Sequence, residues 1–303
     1  MKVLIKRHRA HAGFWIYTGY ASAWRELGYD VYLYDSLKQL KKLKDFYLMA
    51  IDSDLKNENL EILSNSTKTF LFVQPNYFPK PWGEHPNFIS SCNHDIVEKI
   101  NNLSNVKQWT FVDSDNEYYS KWNATTIPLA FDDINYNFKP IKEYDFDICY
   151  IGGRANNGFD EKIEIINKTF SLFEKTNLKC GFFIDKNLSH DQEVNIILRS
   201  KLCLNIHDAY QKKLSLDTNE RTFKSLGLNG TLVSDKILQI EKVLPEASIV
   251  LSNNLNELVD RSLELCSLEK KHLLDLKDKN IDYIKSVHTY KNRISQLMSS
   301  VNV

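Results

Sequence analysis

The chain has 303 residues with 39 basic and 39 acidic side chains, so its formal net charge is zero. The balance holds on either side of Tyr144, with 17 residues of each sign before it and 22 after. Neither half has the cationic excess on which non-specific duplex binding rests, so charge gives no reason to expect a nucleic-acid partner.

The hydrophobic content of 43% is enough for two ordinary cores. No apolar run approaches the roughly 18 residues of a membrane-spanning helix. The opening Met1-Lys2-Val3-Leu4-Ile5-Lys6 has too short an apolar core for a secretion signal. The five cysteines include no CxxC pair and none stands at a ligand spacing from histidine. Free thiols in a reducing cytoplasm are therefore expected, without a disulfide framework or structural zinc.

Strand-like and helix-like stretches alternate along the chain, the pattern of an α/β protein with parallel sheets. Val3-Leu4-Ile5 predicts a first strand, followed by a helix that carries Trp15, Ala21 and Trp24 and stops at Gly28. Further strands are predicted at 31–34, 47–51, 70–73, 88–90 and 109–112, with a helix over about 95–103. The polar stretch 132–144 is the best linker. A second series follows, with strands at 146–151, 178–184, 202–206, 231–233 and 249–251, and from 255 onward the chain reads as helical. This predicts an N-terminal Rossmann-like domain over 1–135 and a C-terminal one over 145–303, facing one another across a cleft. Ligands of open parallel sheets bind in the loops beyond the carboxyl ends of the strands.

Gly152-Gly153-Arg154 occupies such a loop, where glycines let backbone N–H groups approach a phosphate ahead of a helix N-terminus. A plain turn explains the same residues, and neither the dinucleotide nor the P-loop fingerprint is present. Asp217-Thr218-Asn219-Glu220-Arg221-Thr222-Phe223-Lys224 opens a later helix and puts Arg221 in its first turn. A cation there opposes the helix dipole unless an anion lies near. The plain alternative is a surface arginine paired with Glu220 or Asp217. His11 in the first strand-to-helix loop is a candidate general base, with His94 as its rival. The rings of Tyr77, Phe78 and Trp82 could stack on a sugar, or belong to a rigid proline-rich loop. Asp52-Ser53-Asp54 and Asp113-Ser114-Asp115 have the form of a metal-binding DxD motif, but turns and caps explain them equally well.

The run Asn219-x-Arg221-Thr222-Phe223-x-Ser225-Leu226-Gly227-Leu228-Asn229-Gly230 resembles the signature helix of the CgeB-like glycosyltransferases. Ser200 through His207 resembles the family's preceding strand, and His288-Thr289-Tyr290-Lys291-Asn292-Arg293 its C-terminal helix. Pro128-Leu129-Ala130-Phe131-Asp132 resembles the segment closing its first domain. The matches cover roughly residues 125–298.

The resemblance implies the GT-B fold and a metal-independent hexosyl or related transferase. A nucleotide-sugar donor would bind the C-terminal domain, and a glycan, protein or small-molecule acceptor the N-terminal one. It also implies that the last helix returns to the N-terminal domain. Carried over by position, Gly152, Gly153 and Arg154 face the donor phosphates and Asn205 and His207 line the cleft. Asn219, Arg221 and Thr222 lie near the diphosphate. Lys224 stands where the family has a glutamate expected to hold the donor ribose. Two other readings follow: a non-catalytic nucleotide-sugar or glycan-binding assembly protein, and a glycosyltransferase acting on modified DNA bases.

Overall fold

The structure, a computed structural model, describes residues 1–9, 11–73, 94–113, 123–139, 141–154 and 161–299. The rings of Tyr77, Phe78 and Trp82, the strand expected at 88–90, and Ser114 and Asp115 lie outside these residues. The chain divides into two units, Met1–Leu129 with Tyr290–Val303, and Ala130–Thr289.

The first unit is built on a sheet in the order β2-β1-β3-β4-β5-β6, parallel throughout. Its strands are β1 (Lys2–Lys6), β2 (Asp30–Tyr34), β3 (Phe46–Ile51), β4 (Lys68–Phe72), β5 (Val106–Thr110) and β6 (Thr125–Thr126). β3 and β4 are near-continuous apolar runs because a parallel sheet is covered on both faces. Helix α1 (His11–Glu26) buries the stripe Ile16, Tyr17, Tyr20, Ala23 and Trp24, spaced as a 3.6-residue repeat requires. Trp24 is fully buried and donates its indole N–H to Met49 Sδ at 3.1 Å. Gly28, at φ +84°, takes the left-handed step after α1 that a residue with a Cβ resists. Short α2 (Leu60–Asn65) and α3 (His94–Asn101) complete the first crossovers.

The second unit has the sheet order β11-β10-β9-β7-β8, again parallel. Its strands are β7 (Phe146–Gly152), β8 (Cys180–Ile184), β9 (Ser200–Asn205), β10 (Val233–Ser234) and β11 (Val250–Leu251). Counted from β7, this is the 2-1-3-4-5 doubly wound order, and its switch point lies between β7 and β9. The helices are α4 (Glu161–Phe173), α5 (His190–Leu198), α6 (Ala209–Leu214), α7 (Glu220–Leu228), α8 (Leu238–Val243), α9 (Leu255–Cys266) and α10 (Lys270–Val287). α7 is buried from Thr222 to Leu228, and α10 braces it: Asn280 Nδ2 donates to Gly230 O at 2.8 Å and Lys277 Nζ to Ser200 O at 3.0 Å.

Phe131, just before the expected linker, and Tyr136, within it, are buried in this unit, and Phe131 forms a bridge with Thr289. The last helix, α11 (Tyr290–Ser299), belongs to the first unit. There Arg293 is only 2% exposed and donates to Pro128 O at 2.9 Å and Leu129 O at 3.0 Å. Tyr290 packs its ring 4.7 Å from that of Tyr20. Among the described residues no helix is long and apolar enough to cross a membrane.

Candidate functional site

The loops beyond β7 and β9 converge on Arg221. Asn219 holds the N-cap position of α7, which puts Arg221 in the first turn. The guanidinium is not paired with Glu220 or Asp217. It donates from Nη1 to Ile151 O at 3.3 Å and from Nη2 to Ile206 O at 3.1 Å. One carbonyl ends β7 and the other follows β9, so Arg221 spans the switch point of the sheet. Two of its five N–H donors are used there and three remain. The Tyr150 ring lies 5.7 Å away; burial raises the pKa of its phenol, and the neighbouring Arg221 guanidinium pulls it back down.

Gly152 is a glycine because of Arg221. A Cβ at this position would stand 2.2 Å from Arg221 Nη1 and 2.6 Å from the Tyr150 hydroxyl. Gly153 follows it, and Arg154 is exposed, donating from Nε to Asp185 Oδ2 at 2.6 Å. Its backbone N–H donates to the other oxygen of the same carboxylate.

A second cation lies beside Arg221. Lys162, in the first turn of α4, is 4% exposed and ion-paired with Asp208. Burial lowers the pKa of its ammonium and the Arg221 charge lowers it further, while Asp208 pulls it back up. Lys162 escaped the sequence reading, although a cation opening a helix just after Gly152-Gly153 is the same signal that picked out Arg221.

Beneath these cations is a buried polar network. Asn205 and Asn219 exchange amide hydrogen bonds at 3.0 and 3.1 Å, and Asn205 also donates to Thr222 Oγ1 at 3.1 Å. Asn219 therefore turns its amide to β9 and makes no side-chain cap on its own helix. His207 has Nδ1 at 2.6 Å from Asp235 Oδ1 and Nε2 at 2.8 Å from Thr218 Oγ1. Thr218 and Thr222 share a hydroxyl contact at 2.6 Å.

Burial would raise the Asp235 carboxyl, but His207 outweighs it and brings the pKa down to about 2. Asn205, His207 and Thr222 have no exposed surface. Asn205 and His207 were expected to line the cleft and Thr222 to lie near the diphosphate; their side chains fasten the start of α7 to the end of β9, in a buried network with its members satisfied by one another. Thr218, His207 and Asp235 have the order of a hydroxyl–imidazole–carboxylate relay, but all three are buried.

Lys224 is also buried, at 5% exposure, between Glu193 of α5 (3.0 Å) and Glu220 (2.9 Å). Burial alone would lower its pKa, but Glu220 and then Glu193 reverse this and hold the ammonium above the ordinary lysine range. Its charge is thus spent inside the unit, and Glu193 was invisible to sequence reasoning because its partner lies 31 residues away.

The two candidate bases are not brought to this cluster within a unit: His11 opens α1 and His94 opens α3, both in the first unit. Asp52, Ser53 and Asp54 form a 3-10 turn after β3, and Asp54 is ion-paired with Lys6 at 2.9 Å. Among the described residues no group of three or more His, Cys, Asp or Glu could hold a metal ion.

Two parallel-sheet α/β units with a helical C-terminus constitute the GT-B fold. The chain aligns over its full length with all of the T4 phage BGT solved with its UDP-glucose substrate, at TM-score 0.59 and 11% identity. It aligns equally completely with an alpha-glucosyltransferase solved with UDP and a 13-mer DNA containing an HMU base, at TM-score 0.62 and 11% identity. A third structure, from E. coli, described as trehalose-6-phosphate bound with UDP-2-fluoro glucose, matches at TM-score 0.59 and 8% identity over 99% of both chains. These likenesses concern the fold. In sequence, residues 152–299 match the family described as Glycosyl transferase-like, and this stretch holds Gly152, Lys162, His207 and Arg221. No curated protein matches the chain.

Proposed function

We propose that the chain is a glycosyltransferase that takes its sugar from a nucleoside-diphosphate donor bound by the second unit. It would pass the sugar to an acceptor hydroxyl presented by the first. The observation that carries this reading is the placement of the Arg221 guanidinium between Ile151 O and Ile206 O, over Gly152 and beside Lys162. Two cations at the carboxyl ends of β7 and β9, in a largely buried setting, suit the charge that develops on a departing diphosphate. Arg221 has N–H groups left to give, and its position is held by backbone, so it need not reorganise as that charge grows. Lys162 adds a second charge beside it. The matched family and the UDP-bound structures of the same fold support the choice of a nucleotide sugar.

The CgeB-like subgroup, a hexosyl donor and turnover without a metal ion belong to the same proposal. So do the donor-binding roles of Gly152, Gly153, Arg154 and Arg221. Asn205, His207, Asn219 and Thr222 act in it by holding α7 rather than by touching the donor. With Lys224 held between two glutamates, a ribose contact would fall to one of those carboxylates, which can accept from hydroxyls as a lysine cannot.

The test is incubation of the purified chain with UDP-sugars, following UDP release with and without a chelator. Release that persists in chelator supports the reading. Binding of UDP-sugars without any release would favour the non-catalytic alternative, and activity restored only by a divalent cation would overturn the metal-independent part.

A further inference from the structure

The first unit carries its own cationic groove. A cavity of about 450 Å³ runs along α1, floored by Leu33 of the edge strand β2 and closed at one end by the loop after β1. That volume falls in the range of small-molecule sites. Phe14, Thr18, Ala21 and Arg25 form one stripe of α1 along it, spanning roughly 16 Å of helix axis. Lys6, Arg7 and Arg9 stand at the loop end.

Charge is the distinguishing property of this groove. Three of its four cations are paired with two carboxylates: Asp54 takes Lys6 at 2.9 Å, and Asp35 is shared by Arg7 at 3.6 Å and Arg9 at 2.9 Å. Arg25 is exposed and has no ion-pair partner among the described residues. The groove is left about two positive charges in excess in a chain that is neutral overall.

The apolar part of the wall is equally specific. Phe14 is 42% and Leu33 41% exposed, an unusual pair of large apolar side chains to leave open beside four cations. His8 stacks on Tyr17 with ring centroids 4.2 Å apart, and both line the cavity. The Tyr17 hydroxyl and His8 Nε2 are buried and make no hydrogen bond, so each is an unsatisfied polar group that a ligand could answer.

Resting on the glycosyltransferase reading, we propose that this groove binds the acceptor and that the acceptor is a phosphomonoester, a phosphorylated sugar or polyol. A phosphomonoester carries about −2 at neutral pH, which matches the excess charge, and offers the oxygens that arginine forks engage in pairs. Its uncharged body lies on Phe14 and Leu33. A nucleic-acid strand is the less suited occupant, because three of the four cations gather at one end of the groove, in and just after β1, rather than along an extended surface track.

The experiment uses the full chain at neutral pH, with UDP affinity measured first by calorimetry. UDP is then kept saturating so that inorganic phosphate cannot report on Arg221. Inorganic phosphate, glucose 6-phosphate and glucose are titrated into the wild type, Arg25→Gln and the double variant Arg9→Gln/Arg25→Gln. Both positions are exposed, so folding is not at stake.

The expected result is that phosphate and glucose 6-phosphate bind the wild type and glucose does not. The double variant should weaken both on the order of tenfold or more, with UDP affinity unchanged. The proposal is overturned if the variants bind phosphate as the wild type does, if glucose binds as well as its phosphate, or if a single-stranded oligonucleotide displaces glucose 6-phosphate at lower concentration than phosphate does. A wild type that binds no UDP defeats the glycosyltransferase reading instead, and the phosphate titration still decides the groove.

Discussion

Replacing Gly152 by alanine tests whether the arginine at the strand ends must stand where it does. The new Cβ would meet Arg221 Nη1 at 2.2 Å and the Tyr150 hydroxyl at 2.6 Å, where ordinary contact begins at 3.4 Å. The guanidinium must retreat by roughly 1 Å, which breaks the 3.3 Å bond to Ile151 O. A misplacement of that size costs about 1.4–2.8 kcal/mol in an interaction that depends on orientation, or about 10–100-fold in UDP affinity. Crowding Tyr150, which is fully buried, should also lower stability by about 1–3 kcal/mol. Gly181→Ala is the matched control: its Cβ would crowd the Phe146 ring at 2.8 Å in the same sheet, at a distance from Arg221 along β8. Calorimetric UDP titrations and urea unfolding of both variants separate the two effects. The expected outcome is that both lose stability and only Gly152→Ala loses UDP. Equal UDP affinity for Gly152→Ala and the wild type would refute the reasoning.

Lys224→Met removes the cation between Glu193 and Glu220 and leaves two largely buried carboxylates facing each other. Urea unfolding at neutral pH should show a loss of about 3–5 kcal/mol, shrinking as pH falls and the carboxylates take up protons. Lys277 gives a prediction of opposite sign. Burial brings its pKa from 10.5 to about 8, so between those values the unfolded chain holds a proton that the folded one has released. Stability should therefore rise with pH across that window, by up to about 3 kcal/mol. Lys277→Met should lack this rise, and parallel curves for the two proteins between pH 8 and 10.5 would contradict the assignment.

Several parallel strands were legible as apolar runs bounded by polar or turn residues, as at Tyr47–Ile51 within β3 and Ile148–Ile151 within β7, whereas β5, with Lys107 and Gln108 inside it, and the two threonines of β6 carry no such run. Their edges were less so: β10 and β11 pair over only two residues each, and β10 shares only Val233 with the run expected at 231–233. Arg221 was legible as a cation in the wrong half of a helix dipole. What the residue bonds to was not, since Ile151 O lies 70 positions away. Asn205 and His207 read as site residues through the family resemblance, and their side chains bond Thr222 and Thr218 at the start of α7. Glu193 has the local sequence of an ordinary surface charge and is revealed only by its buried partner Lys224. Charge pairs distant in sequence leave no local periodicity, so composition and spacing pass over them.

Whether Arg221 holds a nucleoside diphosphate is decided by one titration. UDP is titrated calorimetrically into the wild type, Arg221→Ala and Arg154→Ala, with the melting temperature of each recorded. Arg221→Ala should lose about 2–4 kcal/mol of binding, the scale of a charge-assisted paired contact. Its two carbonyl acceptors sit at strand ends, so its melting temperature should change little. Arg154, exposed and tied to Asp185, should cost about 1 kcal/mol or less. Wild-type UDP affinity in Arg221→Ala would contradict the claim and move the diphosphate site away from the ends of β7 and β9.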